Sequence, residues 1–93
     1  MSSINAFESS LGALRTGQTA VIREIQSGSD ISSALRLMEM GLIEGARVEL
    51  LHEAPFGGDP IVVRSRGTLI ALRRSEAMKV RIELADSTDG QPT

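Results

Sequence analysis

Ile31, Ala34, Leu35 and Met38 follow the i, i+3, i+4, i+7 spacing that places side chains on one face of a helix. The polar run before them, Ser27-Gly28-Ser29-Asp30, reads as a loop. Either Asp30 or Ser32 can cap the helix by accepting hydrogen bonds from its free first-turn amides. Gly41 ends it, because the residue past a helix end often needs a positive φ that glycine takes without a Cβ clash. With Gly41 as that residue, Leu37 and Leu42 form the apolar pair of a Schellman stop. Ile43-Glu44-Gly45-Ala46 then reads as a type II turn with glycine third.

Around this helix the pattern changes to that of strands. Residues 19–26 carry Ala20, Val21, Ile22 and Ile25, a spacing too irregular for a flat strand and suited to a bulge or bend. After Gly45, alternation puts Val48, Leu50 and His52 on one face and Glu49, Leu51 and Glu53 on the other. Ala54-Pro55-Phe56-Gly57-Gly58-Asp59-Pro60 forms a hairpin tip, Ile61-Val62-Val63 begins the return, and Gly67 turns the chain into residues 68–72. Residues 74–78 have room for a single helical turn, with Ser75 a plausible start. Val80, Ile82 and Leu84 alternate with Lys79, Arg81 and Glu83 as a half-buried strand. Leu11 and Leu14 flank Gly12 and are placed to pin the chain's entry to the core.

The order is therefore strand, helix, three strands, a tight turn and a last strand. Five short strands with glycine corners are too few for a sandwich. They predict an all-β domain with one inserted helix, a small, strongly bent barrel of about five strands whose last strand closes against the first. Residues 1–10 form a polar lead-in, 11–84 the domain, and 85–93 a polar tail without core residues, expected to be disordered.

Composition narrows the function more than the fold. The 93 residues carry a net charge of −2, with 41% hydrophobic and 24% charged residues, as in ordinary globular chains. Cysteine is absent, which removes disulfides, thiolate metal sites and cysteine nucleophiles together. The first residues lack the basic and apolar runs of a secretory signal. No apolar stretch approaches the roughly 20 residues needed to cross a bilayer, so a membrane would be met only through a partner. Up to Asp59 there are four basic and eight acidic residues, whereas residues 60–84 carry six basic and two acidic. That basic excess is either a solvated outer sheet face or a docking face for an acidic partner.

Few residues are arranged for catalysis, and no enzyme activity or cofactor is expected. His52 is the only histidine, and alternation points Glu49 and Glu53 away from it, so no metal site is expected. No EF-hand spacing and no P-loop are present. Ser65 and Ser75 lie among arginines without a second histidine to act as base. With no Tyr or Trp, the chain lacks the lining of proline-rich peptide grooves, and Phe7 and Phe56 alone make a poor stacking platform for single-stranded nucleic acid. Binding to a phosphate backbone would show as steeply salt-dependent affinity for oligonucleotides.

The hairpin tip is the most informative local feature. Two prolines stiffen its ends, two glycines permit a sharp reversal, and Phe56 sits between them. A loop phenylalanine either folds back to seal a small core, its common use, or is offered to a partner. In the second reading Phe56, Gly57, Gly58, Asp59 and Pro60 act together with Met40, Leu42 and Ile43 at the helix end, provided the helix packs beside the hairpin.

Three motifs in order carry a family resemblance. Leu37-Met38-x-Met40-Gly41-Leu42-Ile43-x-Gly45-Ala46-x-Val48, then Ala54-Pro55-x-Gly57-Gly58-Asp59-Pro60-Ile61, then Ile70-Ala71-Leu72-Arg73 resemble the ferrous iron transport protein A (FeoA) family over roughly residues 11–84. Glu44 stands where many members have proline, and the tip has one glycine more than the shorter Gly-Asp-Pro form. The resemblance implies an SH3-like barrel with Gly41, Gly45 and Gly67 as structural turns. It also implies a cytoplasmic accessory or regulatory protein of bacterial ferrous iron uptake. The implied partner is FeoB, a membrane permease with a GTP-binding domain. Such a protein would bind or regulate the permease without carrying iron, and one histidine with no cysteine fits that, since a ferrous carrier wants softer ligands. The barrel also resembles the C-terminal domain of iron-dependent repressors of the diphtheria-toxin-repressor type, which makes metal-responsive regulation the alternative. Exposed strand edges would permit self-association.

Overall fold

The computed structural model describes residues 8–26 and 28–85. Strands β1 (Glu8–Ser10), β2 (Thr19–Ile25), β3 (Arg47–Glu53), β4 (Ile61–Ser65), β5 (Thr68–Leu72) and β6 (Val80–Leu84) are accompanied by helices α1 (Ile31–Glu39) and α2 (Arg74–Ala77). A 3₁₀ turn at Leu11–Ala13 follows β1. The strands form one antiparallel sheet in the order β1-β6-β2-β3-β4-β5, with β1 and β5 as its edges. The last strand pairs with the first long one as expected, Ala20 opposite Leu84 and Ile25 opposite Val80. The sheet is bent but not closed.

Residues 8–10, expected in the polar lead-in, pair with β6 as a sixth strand. Ala85, assigned to the tail, still donates its N–H to the Thr19 carbonyl at 3.0 Å. The expectations for residues 1–7 and 86–93 lie outside the described residues. β2 shifts register between Ile22 and Glu24, the irregularity that its apolar spacing predicted. β3 shifts as well: Leu50 pairs with Val63 and His52 with Val62, leaving Leu51 as the extra residue. Strict alternation therefore fails. Val48 and Leu50 are buried, but His52 is exposed and does not share their environment.

One core fills the bend. Leu11, Leu14, Ile22, Leu37, Leu42, Val48, Leu50, Ile61, Val63, Leu72, Val80 and Ile82 are almost wholly buried there. Burying each such side chain contributes about 1.5–3 kcal/mol relative to exposure. The helix stop has the expected geometry. Asp30 caps α1 by accepting from the Ser33 N–H at 3.2 Å. At the other end the Leu42 N–H reaches the Leu37 carbonyl at 3.1 Å, and the Gly41 N–H reaches that of Met38 at 2.9 Å. These are the two bonds of a Schellman motif, with Gly41 at φ 107° and Leu37 and Leu42 both fully buried. The Gly41 carbonyl accepts from the Ser65 hydroxyl at 3.3 Å, tying the stop to the end of β4. Ala46 N–H to Ile43 carbonyl closes the next turn at 3.0 Å, with Gly45 at φ 88°.

Candidate functional site

The hairpin tip is held from behind by one arginine. Arg74 opens α2 and its side chain reaches three backbone carbonyls and a carboxylate. Nε donates to Gly58 O at 2.8 Å, Nη1 to Gly12 O at 2.5 Å and more distantly to Leu14 O at 3.5 Å, and Nη2 to Glu53 Oε1 at 2.6 Å. Its backbone N–H donates to Asp59 Oδ1 at 2.9 Å. The other Glu53 oxygen accepts from both the N–H and the hydroxyl of Thr16 at 2.9 Å. The Thr16 hydroxyl and then its N–H hold the Glu53 carboxyl below its ordinary value; desolvation opposes them, and the charges of Arg74 and Arg15 add a lesser lowering each. Such charge-assisted bonds position a loop strongly because each is roughly twice as strong as a neutral one. Asp59 and Gly58 thus serve the brace.

Phe56 is left outside it. The ring is 89% exposed, so it does not fold back over the barrel as a seal. Gly57 and Pro60 are exposed beside it, and Gly58 and Asp59 face Arg74. The helix-end residues lie elsewhere. Met40 is half-buried against the core, Leu42 is fully buried, and Ile43 is 38% exposed. Through Gly41 and Ser65 this stop is bonded to the end of β4 remote from the tip. The two groups therefore occupy opposite ends of the β3–β4 ladder and do not form one patch.

The larger surprise is α1. Its buried residues are Ala34 and Leu37, while Ile31, Leu35 and Met38 are 63%, 51% and 42% exposed. At 100° per residue the core-facing side lies about 80° round the axis from the centre of the expected stripe, with Ala34 shared by both. That stripe faces outward and continues into a groove of about 360 Å³ lined by Ile25, Met38, Ile43 and Glu44, with Leu42 beneath. The sequence did contain the signal: Leu37, three residues after Ala34, makes a second apolar face. Among the described residues no group of three His, Asp or Glu side chains is placed to hold a metal ion.

A small, bent antiparallel sheet with one capping helix, a braced hairpin and apolar side chains held outward defines an SH3-like module. The chain belongs to the FeoA family: the FeoA domain model matches residues 9–84. A protein of Porphyromonas gingivalis named Fe(2+) transport protein A/Fe(2+) transporter FeoB fusion protein is 32% identical over 77 residues, 83% of this chain. The chain spans only 9% of that protein's length. The crystal structure of Stenotrophomonas maltophilia FeoA complexed with zinc, described as a prokaryotic SH3 domain protein, is 32% identical with a TM-score of 0.71, covering 85% of this chain and 91% of that one. A manganese-dependent transcriptional repressor shares the fold at 20% identity and TM-score 0.73, with 84% of this chain covering 42% of it.

Proposed function

We propose that this chain is a cytoplasmic accessory protein of ferrous iron uptake that binds and regulates a FeoB-type permease. Family membership supports a role in ferrous iron transport. The observation that carries the finer reading is the P. gingivalis fusion, in which a relative of this chain and an Fe(2+) transporter FeoB share one polypeptide. Fusion makes an encounter intramolecular and raises the effective concentration of each partner to the order of millimolar for short linkers. Partners that act together gain most from that. Among the described residues no helix is long and apolar enough to cross a membrane, in keeping with an adaptor that reaches the bilayer through its partner.

The contact uses apolar side chains already held outward, Phe56 at the tip and Ile43 with the Met38 side of α1. Met40 and the Gly57–Pro60 backbone shape the two places, and Leu42 supports from within the core. The protein acts by binding and carries no catalytic step. Binding shifts the permease between states to the extent that its contacts differ between them.

The test is a titration of the purified protein against the detergent-solubilised permease and against its isolated GTP-binding domain. Saturable binding is expected, about tenfold weaker for Phe56→Ala or Ile43→Ser at unchanged melting temperature. Leu42→Ser is unsuitable, because it places a hydroxyl in the core. Absence of binding to either, with the protein folded, would overturn the adaptor reading and favour a barrel acting in metal-responsive regulation.

A further inference from the structure

Two cations of the later segment, Arg64 and Arg66, meet Arg47 of β3 at one place that neither the brace nor the proposed permease contacts use. Thr19 of β2, Arg47, Val48 and Glu49 of β3, and Arg64, Arg66 and Gly67 around the β4–β5 turn line a cleft of about 290 Å³. The strand register explains the convergence. Thr19 lies opposite Glu49, Glu49 opposite Arg64, and Arg64 opposite Leu69, so these side chains form one row across the outer face of four strands. Arg47, two residues before Glu49, adds to the same face.

The charges there are not balanced internally. Glu49 accepts from Arg64 Nη2 at 2.8 Å and is the one carboxylate in the lining. Arg47 and Arg66 make no ion pair or side-chain hydrogen bond among the described residues. Arg66 also sits at φ 55°, just before Gly67 at φ 81°. Two successive positive φ values make a turn in which asparagine or glycine is favoured at the first position, and an arginine there is held against its backbone preference. A cation kept at an unfavourable backbone position, beside a second unpartnered cation, points to a ligand for both.

We propose that this cleft is a docking site for an acidic polypeptide segment. Its carboxylates pair with Arg47 and Arg66, and an adjacent apolar residue packs on Leu69, which is 62% exposed at the end of the row. Guanidinium suits carboxylate because its planar fork can donate two parallel hydrogen bonds. A nucleic acid is disfavoured by the chemistry around the cleft. The basic surface is one short cleft rather than a track, Glu49 lies within it, the chain is acidic overall, and no aromatic lines it. This site is independent of the permease reading and is lined by different residues.

The experiment titrates the full chain with a labelled glutamate decapeptide carrying one central leucine, at about 20 mM salt, where charge attraction is little screened. Its glutamine counterpart and a single-stranded oligonucleotide serve as comparison probes, and amide chemical shifts report the position. Saturable binding of the acidic peptide is expected, with shifts centred on Thr19, Arg47, Arg64 and Gly67. R47Q/R66Q should weaken it by about tenfold or more at unchanged melting temperature, whereas Arg36→Gln on α1 should not. Three results would each overturn the proposal: no binding of the acidic peptide, an equal loss in R36Q, or tighter binding of the oligonucleotide. Failure here leaves the permease titration untouched, since that one is read through Phe56 and Ile43.

Discussion

The two ends of the β3–β4 hairpin treat their charges in opposite ways. At the tip, Glu53, Asp59 and Arg74 are consumed by one another and by the backbone carbonyls of Gly12 and Gly58. At the other end Arg47 and Arg66 have no partner among the described residues. Both ends are equally noticeable as charged loops in the chain, yet one spends its charge on shape and the other keeps it for a ligand. The apolar residues divide the same way. Leu42 and Leu37 lock the helix stop from inside, and Phe56, Ile31 and Leu35 are held out in water.

Breaking the internal end should cost the most. Arg74→Ala leaves a carboxylate and three carbonyls without their donor, and the expected loss is about 2–3 kcal/mol of unfolding free energy, read by urea denaturation. A loss below about 0.5 kcal/mol would place Arg74 among ordinary surface cations. Gly41→Val comes next, at about 1–2 kcal/mol. An added Cβ there meets nothing within 4 Å, so the cost is one of backbone conformation, and an unchanged melting temperature would contradict the left-handed stop.

Acid provides a milder way to loosen the brace. Glu53 is held below the ordinary 4.5 chiefly by the Thr16 hydroxyl. A carboxylate lowered on folding stabilises above its unfolded pKa, and that contribution is lost as pH falls through the folded one. Stability should therefore decline as pH drops below 4.5, and Glu53→Gln should flatten part of that decline when melting is followed against pH. The smallest effect sharpens the other end. Arg66→Asn relieves an unfavourable φ and is expected to stabilise by about 0.5 kcal/mol while weakening capture of the acidic peptide. Destabilisation instead would mean that Arg66 serves the fold.

Local chemistry made much of this legible in the chain. The Asp30 cap, the Gly41 stop with its leucine pair and the turn at Gly45 each depend on residues within a few positions, and each was readable. The irregular spacing of Ala20, Val21, Ile22 and Ile25 signalled the β2 bulge for the same reason. What failed depends on distant residues. Which apolar face of α1 is buried depends on where the sheet lies, and the Ile31 stripe and the Leu37 side were both apolar enough to serve. The shift at Leu51 that exposes His52 depends on pairing with β4. Arg74 looks like any cation of a basic segment until the fold brings Gly12 and Glu53 to it. Phe56 was legible as a loop aromatic with two readings, but its grouping with Met40 and Ile43 required a proximity that the β3–β4 ladder does not provide.

The position of β6 has a consequence for how the molecule is made. β3, β4 and β5 pair with their chain neighbours and can form as local hairpins within microseconds. β2 can pair with β3 once that strand is made, but β1 and the other edge of β2 must wait for β6, since Ser10 pairs with Arg81 and Ala20 with Leu84. On the ribosome the N-terminal strands emerge first and are completed last. Until Leu84 has left the exit tunnel they present open edges in a chain with no finished core. The closing step joins segments far apart in sequence, so it should set the overall folding rate, in the millisecond to second range of high-contact-order β domains.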